Sequence, residues 1–550
     1  MQIPFLDIHA INKEFYNNFS NDFKRVLNSG SFVLADELNR FEESFAEYCG
    51  TKYCIGVGNG FQAIEIILRA WNIKKGDEVI VPSNTYIATW LAISSLGAKP
   101  IPVEPDLLSY NIDPNLIEEK SPPAAIKALS DSKHLNLGII GYGGRGAHLV
   151  RAAGFATKGW TNTAAENAKK NKLNKQFETF MTQEDLNCSL VGVCDLFDNN
   201  AQLGIDASNN DIRPGGKPLG TAIRYKTHEE MLANENIDGV IIATPDHWHS
   251  RITIDAAKAG KHVLCEKPLG MTVAQCKEMV DAANEAGVVH MVCHNYRRIP
   301  AIAHARKMID EGALGDIFHY RARYAQDWIV DPEFPLVWRL QKGISGSGAH
   351  GDINAHIIDL GRYLIGEFDE VCGLMNTFIK QRPIEDSSAK GDGLGGAGGK
   401  TMGEVTVDDA ALFIGKFKNG AVANLEATRF ALGRKNSIVI EINGSKGSLY
   451  FDFEDMNRLK WFDNTVASDR QGFSDILVTQ PGGDHPFVGQ WWPPGHILGY
   501  EHTFVHTLAD FVNAVVDGKS VQPTFEDGMR NQRVMEAVEE SAESRQWVKI

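Results

Sequence analysis

Six residues, Gly141-Tyr142-Gly143-Gly144-Arg145-Gly146, follow the apolar run Leu137-Gly138-Ile139-Ile140 without a gap, and a helical stretch opens near Ala147. In a strand that turns directly into a helix, each glycine has its own task. The first permits the tight turn, the second lets a pyrophosphate approach the backbone, and the third lets helix and strand pack closely, with the helix N-terminus facing negative charge. The pattern predicts a dinucleotide-binding strand, turn and helix. Such sites use an acidic residue at the end of the next strand, usually about 20 residues on, to hold the adenosine ribose. Here Asp195 ends the next apolar run, and the polar, lysine-rich stretch 157–187 reads as an insertion that delays it. Leu196, Phe197 and Asp198 offer no cation for a 2′-phosphate, so NAD is favoured over NADP.

Further short apolar runs at 190–194, 240–243 and 262–264 are separated by helical stretches, as in a parallel sheet covered on both faces. After about residue 315 the runs alternate, for example at 411–417 and 437–442, which predicts a second, mixed or antiparallel sheet carrying some helices. Earlier in the chain, 38–48 and 60–72 have helical spacing and 77–82 is a short β run. The expected fold class is α/β: a doubly wound parallel sheet, an α/β domain with a large open sheet, and an extra α/β segment ahead of both. Pro122 and Pro123 in KSPPAAIKALSDSK mark a linker, so the expected divisions are 1–120, a linker at 121–134, 135–297 and 298–550. The Gly-rich stretch 391–399 is expected to be a mobile loop.

Composition narrows the function classes. The net charge of −15 opposes a broad nucleic-acid or anionic-membrane surface. The longest uncharged run, 79–98, is interrupted by Pro82, Ser83, Asn84 and Thr85 and reads as strand, loop and helix rather than a membrane span. Eight cysteines without a CxxC pair fit reduced, mostly buried thiols and imply no metal. No secretory signal is visible in MQIPFLDIHA, and the expected compartment is the cytoplasm.

Four more pieces carry chemistry: Thr244-Pro245-Asp246-His247-Trp248-His249, Glu266-Lys267-Pro268, Asn295-Tyr296-Arg297, and Gly351-Asp352 followed by His356 and Asp359. Taken singly, each could be a polar loop, an exposed turn or a helical pair. In this order behind the glycine loop, they resemble the Gfo/Idh/MocA family of sugar and inositol dehydrogenases, from about residue 136 to 550. The stretches Trp491-Trp492-Pro493-Pro494-Gly495-His496 and Gly499-Tyr500-Glu501-His502-Thr503-Phe504 are similar to the branch that oxidises glycosides or anhydrosugars. The resemblance implies a Rossmann domain, a substrate cleft, and an open sheet that often makes a homo-oligomer interface. It implies NAD contacts from Gly141, Tyr142, Gly143, Gly144, Arg145, Gly146, Asp195, Thr244, Pro245, His249, Glu266 and Lys267. Lys267, Asp352 and His356 would surround the reacting carbinol of a small sugar, and His247 and Arg297 would touch substrate.

Hydride loss from a secondary alcohol needs a base for the hydroxyl proton and a donor for charge on oxygen. His356 is the expected base, Lys267 would orient the hydroxyl and lower its pKa, and Asp352 would hold substrate or base. Spacing of i to i+4 puts Asp352 and His356 on one helical face. A lyase or hydrolase working through a transient keto sugar is the alternative, and an NAD-binding regulatory protein is a third. His496, His502 and His506 lack the acidic partner of an H-E-x-x-H site, so packing or substrate contact is favoured and no metal is expected.

The first 119 residues resemble DegT-type sugar aminotransferases that use pyridoxal phosphate. The matching pieces are Ile3-Pro4-Phe5-Leu6-Asp7, Ser29-Gly30-Ser31-Phe32-Val33-Leu34, Phe41-Glu42, Gly50-Thr51-Lys52-Tyr53, the glycines of 56–60, and 76–86 ending in Tyr86. The resemblance implies a cofactor phosphate near Gly58-Asn59-Gly60 and a pyridine ring near Tyr86. The family's Schiff-base lysine lies beyond the matched stretch, so no aminotransferase activity is expected and pyridoxal phosphate is not expected to be functional. An oligomerisation element or the remnant of a fusion are the expected roles.

Overall fold

A computed structural model describes residues 12–33, 35–75, 77–103, 105, 134–171, 174–215, 222–385, 398–480, 485–489, 491 and 493–550. It divides into two compact units, Met1–Ser121 and Pro122–Ile550. The linker expected at 121–134 lies, but for His134, outside the described residues. So does the loop expected at 391–399, except Gly398 and Gly399, which begin a strand rather than a loop.

The first unit contains helices Tyr16–Ser29, Asp36–Cys49, Gly60–Ala70 and Ile87–Ser95 and two parallel strands, β1 (Glu78–Pro82) and β2 (Lys99–Val103). Thus the uncharged run at 79–98 is strand, loop and helix, and among the described residues no helix is long and apolar enough to cross a membrane. The core is small, built on Leu68, Val81, Ile93 and Ala98. The helix Tyr16–Ser29 repeats Phe19, Phe23 and Leu27 every four residues, the spacing of one apolar face, yet it buries no residue, and Phe23 is 65% exposed.

The second unit begins with β3 (Leu135–Ile140), β4 (Cys188–Cys194), β5 (Ile223–Tyr225), β6 (Gly239–Ile242), β7 (His262–Cys265) and β8 (His290–Val292). They form one parallel sheet in the order β5-β4-β3-β6-β7-β8. Their near-continuous apolar runs suit strands covered on both faces. Helices Gly144–Ala152 and Tyr500–Asp517 contribute to the core cluster that contains Leu137 and Ile139, while Ile252, Ala256, Met279 and Val280 pack in the cluster of Ile140 and Ile242. The stretch 157–187 supplies two helices, Lys158–Lys170 and Gln176–Thr182, between the first helix and β4.

The remaining strands are β9 (Ile317–Ala325), β10 (Phe368–Asn376), β11 (Gln381–Glu385), β12 (Gly398–Glu404), β13 (Ala410–Phe417), β14 (Val422–Thr428), β15 (Ser437–Gly444), β16 (Gly447–Asp452), β17 (Arg458–Asp463), β18 (Phe473–Leu477) and β19 (Val548–Lys549). Nine of them form a mixed sheet, β18-β17-β16-β15-β9-β14-β13-β10-β19, in which only β14 and β9 run parallel; β11 and β12 pair separately. Alternation decides the faces. In β13, Phe413 and Phe417 enter the core beneath helices Ala355–Leu364 and Phe525–Ser544, whereas Leu412 and Ile414 face outward. The expected α/β class, with one doubly wound parallel sheet and one large mixed sheet, is the observed one.

Candidate active site

In the parallel sheet the winding reverses at β3, which lies between β4 and β6. Sheets of this kind bind ligands at the carboxyl ends of the strands beside such a switch. The register aligns those ends: Ile140 pairs with both Cys194 and Ile242, and Ile242 pairs with Cys265. Gly141, Asp195, Ala243 and Glu266 therefore emerge along one edge.

The glycine loop has the expected division of labour. Gly141 has φ of +90°, and a Cβ there would lie 2.6 Å from the Ala243 carbonyl oxygen. A Cβ on Gly146 would lie 1.9 Å from the Gly141 oxygen, so both positions require glycine. Gly143 has nothing within 4 Å of its would-be Cβ, which leaves room for a diphosphate beside the N-terminus of helix Gly144–Ala152. Asp195 accepts from the Tyr142 N–H at 2.7 Å and the Phe197 N–H at 2.8 Å. The residues present fit a dinucleotide. Tyr142 corrects the expectation in part, because its ring is buried in the core and only its backbone belongs to the loop. Arg145 extends over Phe504, with its Nε 3.5 Å from the Glu266 carboxylate.

Past β6, Thr244 and Pro245 lead into a short turn, Asp246–Trp248, and a helix that begins at His249. His249 is fully buried, with Nδ1 2.8 Å from the Pro268 oxygen and Nε2 3.0 Å from the Thr244 oxygen. Carbonyl oxygens only accept, so both ring nitrogens donate and the ring is cationic. Burial opposes that charge, while Cys265 and Asp246 favour it, and the pKa is pushed up to about 10. The expected cofactor contact through this side chain is thereby replaced by a clamp between two loops. His247 is half-buried, its Nδ1 3.3 Å from the Ile344 oxygen.

After β7, Glu266 turns one carboxylate oxygen onto the Lys267 N–H at 3.1 Å and leaves the other buried without a hydrogen-bond partner. The Lys267 ammonium donates to the Asp352 carbonyl oxygen at 2.8 Å and to Asp352 Oδ1 at 2.7 Å. The second carboxylate oxygen, Oδ2, accepts from Arg429 Nη2 at 2.6 Å. Burial pushes this carboxyl toward neutrality, but Lys267 and Arg429 together hold it well below the ordinary carboxylate range. It is an anion between two cations.

Asp352 lies in a π-helical turn, His350–Asn354, that continues into helix Ala355–Leu364. Such single wide turns occur at functional sites. Asp408 fixes the start of this turn: its carboxylate accepts from the Gly348 N–H at 2.7 Å and the His350 N–H at 2.8 Å, and its carbonyl from the Ala349 N–H at 3.1 Å. His356, one turn beyond Asp352, packs on Tyr296 with ring centres 4.5 Å apart, and its Nδ1 is buried without a hydrogen-bond partner. Burial, with the nearby positive charge of Lys267, holds its pKa well below the ordinary histidine value, so the ring is neutral. A neutral imidazole beside a fixed ammonium can accept a proton while the ammonium steadies an oxyanion.

Two other expectations are corrected or decided by geometry. Arg297 is buried, with Nε 2.9 Å and Nη2 2.6 Å from the two Asp359 oxygens, so it and Asp359 form an internal ion pair rather than a substrate contact. His502 and His506 are buried and accept hydrogen bonds from the Gly499 N–H and the Trp491 indole.

Residues 135–294 match the oxidoreductase family with an NAD-binding Rossmann fold, and residues 302–450 match the GFO/IDH/MocA C-terminal domain. The chain is 43% identical to levoglucosan dehydrogenase of Pseudarthrobacter phenanthrenivorans over 58% of its own length and 82% of that protein's. The chain belongs to the Gfo/Idh/MocA oxidoreductase family. A solved levoglucosan dehydrogenase in complex with NADH and levoglucosan superposes with a TM-score of 0.62 at 35% identity, covering 76% of this chain and 99% of that one. The NAD-binding oxidoreductase assignment thus rests on this second unit alone.

The first unit has a different relationship. Residues 14–128 match the DegT/DnrJ/EryC1/StrS aminotransferase family. They are 57% identical to dTDP-3-amino-3,6-dideoxy-alpha-D-galactopyranose transaminase of Aneurinibacillus thermoaerophilus over 22% of this chain and only 32% of that enzyme. Within this Gfo/Idh/MocA chain, then, the first unit is similar to about a third of an aminotransferase's length.

Two residues of the site had no sequence signal. Arg429 follows the end of β14 and Asp408 precedes β13, and neither lies in a recognisable motif.

Proposed function

We propose that the chain is an NAD-dependent dehydrogenase that oxidises a secondary hydroxyl of an anhydrosugar or related sugar at Lys267, Asp352 and His356. The observation that carries this reading is the ammonium of Lys267 fixed on Asp352 near a neutral His356 whose buried Nδ1 has no hydrogen-bond partner. Gly141, Gly143, Gly144, Arg145, Gly146, Asp195, Thr244, Pro245 and Glu266 would hold NAD, which supplies the hydride acceptor when bound. His356 takes the hydroxyl proton. Lys267 has two N–H bonds committed to Asp352, and its remaining one is free to donate to the substrate oxygen as negative charge develops there. Asp352 fixes the lysine through Oδ1 and is itself held by Arg429 through Oδ2, and the remaining lone pairs of the two oxygens stay available to a substrate hydroxyl. His247 would border the substrate.

The relatives named above support an anhydrosugar as substrate class. Asp195 favours NAD over NADP. A second copy of the chain would pair through the outward face of the mixed sheet, where Leu374, Leu412 and Ile414 are exposed, and the cytoplasm is the expected compartment. No aminotransferase activity is assigned to the first unit, since its similarity spans only 32% of such an enzyme. The test is the near-ultraviolet absorbance of NADH when the purified chain meets NAD and a panel of anhydrosugars, sugars and inositols. Stoichiometric NADH is expected. Substrate loss without net NADH would replace this reading by the transient-oxidation lyase or hydrolase.

A further inference from the structure

Arg429 is 1% exposed and follows β14, its guanidinium lying 5.2 Å from the centre of the Trp328 ring. A buried cation is tolerated when a carboxylate answers it. Here the answering group is Asp352, whose Oδ2 is 2.6 Å from Nη2, while Nε and Nη1 are buried without hydrogen-bond partners. Asp352 therefore has two cations on it, Lys267 on one oxygen and the buried Arg429 on the other.

This arrangement has an electrostatic consequence for the reaction. A lysine and an aspartate alone would cancel, and an oxyanion forming at the ammonium would meet a neutral pair. With Arg429 the group of three carries one net positive charge. We infer that Arg429 is a positioning residue: by binding the far oxygen of Asp352 it holds that carboxylate ionised and turned so that the charge of Lys267 remains effective toward the substrate oxygen. The inference rests on the dehydrogenase reading and deepens it. Arg429 does not reach substrate itself, because its free N–H groups are enclosed.

The other charged groups acting on Asp352 are consistent with this division. Arg339, stacked on Trp338, adds positive field, His356 is neutral, and Asp246, which acts on both Lys267 and Asp352 and whose carboxyl burial pushes up to about 6, supplies the opposing negative charge. No other carboxylate is bound to Arg429 among the described residues.

The test compares Arg429→Gln, which keeps a hydrogen-bond donor but loses the charge, with Arg429→Lys, which keeps the charge. Arg429→Gln is expected to lower kcat about 100-fold, the lower end of what loss of a positioned proton-transfer group removes, with KM changed little and NADH affinity, read by cofactor fluorescence, unchanged. Arg429→Lys is expected to recover most of that loss. On an Asp352→Asn background, Arg429→Gln should change kcat by less than about threefold, because the group it acts through is gone. Equal activity of Arg429→Gln and the parent chain, or an undiminished effect on the Asp352→Asn background, would overturn the inference.

A second readout does not depend on turnover. In the parent chain labelled with 13C-aspartate, the carboxyl resonance missing from Asp352→Asn should stay ionised throughout the acid range in which the protein is folded, and in Arg429→Gln it should titrate within that range. A resonance that behaves alike in both overturns the inference. If the resonance stays ionised in the parent chain and titrates in Arg429→Gln, but the parent yields no NADH with any sugar, the dehydrogenase reading fails while the role of Arg429 toward Asp352 stands.

Discussion

Lys267 has its amine locked by Asp352 at 2.7 Å and lies beside a histidine that burial keeps neutral. Lys267→Ala removes the donor to the developing oxyanion but leaves the Asp352 and Arg429 ion pair intact, so the fold is expected to survive. Steady-state kinetics should show kcat reduced about 10²–10⁴-fold, with NADH binding by fluorescence titration unchanged. Residue types taken singly did not mark this centre; the family resemblance did, and the structure joins Lys267 to Asp352 with His356 one turn further on. What could not be read was the direction in which polar side chains point. Arg297 and His249 look like ligand-binding groups in sequence, yet Asp359 and two carbonyl oxygens respectively occupy them inside the protein. Tyr142 sits within a cofactor loop and sends its ring into the core, since the loop needs only its backbone.

At the scale of elements, the strand ends proved more legible than the spacing between them. Asp195 comes late because the helices Lys158–Lys170 and Gln176–Thr182 intervene, but parallel register returns it to the edge where Gly141 emerges. The π-helical turn was not legible, because i to i+4 spacing describes Asp352 and His356 in either kind of helix. Its anchor, Asp408, comes from a distant loop and satisfies two buried N–H groups through its side chain. Asp408→Ala should therefore lower unfolding stability by roughly 2–6 kcal/mol, at about 1–3 kcal/mol for each of the two buried donors left without an acceptor. It should also reduce kcat, because the turn carrying Asp352 loses its fixed start. Asp408→Asn, which retains one acceptor oxygen, should fall between. Denaturant unfolding and kinetics on the two variants test this together; unchanged stability in Asp408→Ala would show that the turn is held by its other contacts.

For the whole molecule, the two units differ in how completely they are built. The second contains both sheets and every residue of the proposed site. The first leaves Phe19, Phe23, Tyr48, Trp71 and Tyr86 exposed around a small core, and exposed apolar side chains of this kind favour association. A chain of residues 134–550 is therefore expected to keep NADH affinity and turnover while remaining monodisperse at concentrations where the full chain associates, as light scattering would show. The second unit also sets the response to acid. Burial lowers the pKa of His148, His294 and His502 to about 4 and of His506 to about 3, against about 6.5 in an unfolded chain. Each depressed pKa means that the unfolded state binds a proton the native state refuses. The stability these neutral rings contribute is thus complete above pH of about 6.5 and is lost progressively as pH falls toward about 4, where several protons are taken up on unfolding. His249, with its pKa raised to about 10, acts in the opposite sense and over a different window: its contribution is complete below pH of about 6.5 and declines as pH rises through about 10. Denaturant melts between pH 4 and 7 should show a midpoint that falls steeply on the acid side, and replacing His506, which is buried against Trp491 and Phe487, by Gln should flatten that slope even though it weakens the protein at neutral pH. A midpoint indifferent to pH over this range would mean that these histidines titrate alike in the folded and unfolded chain.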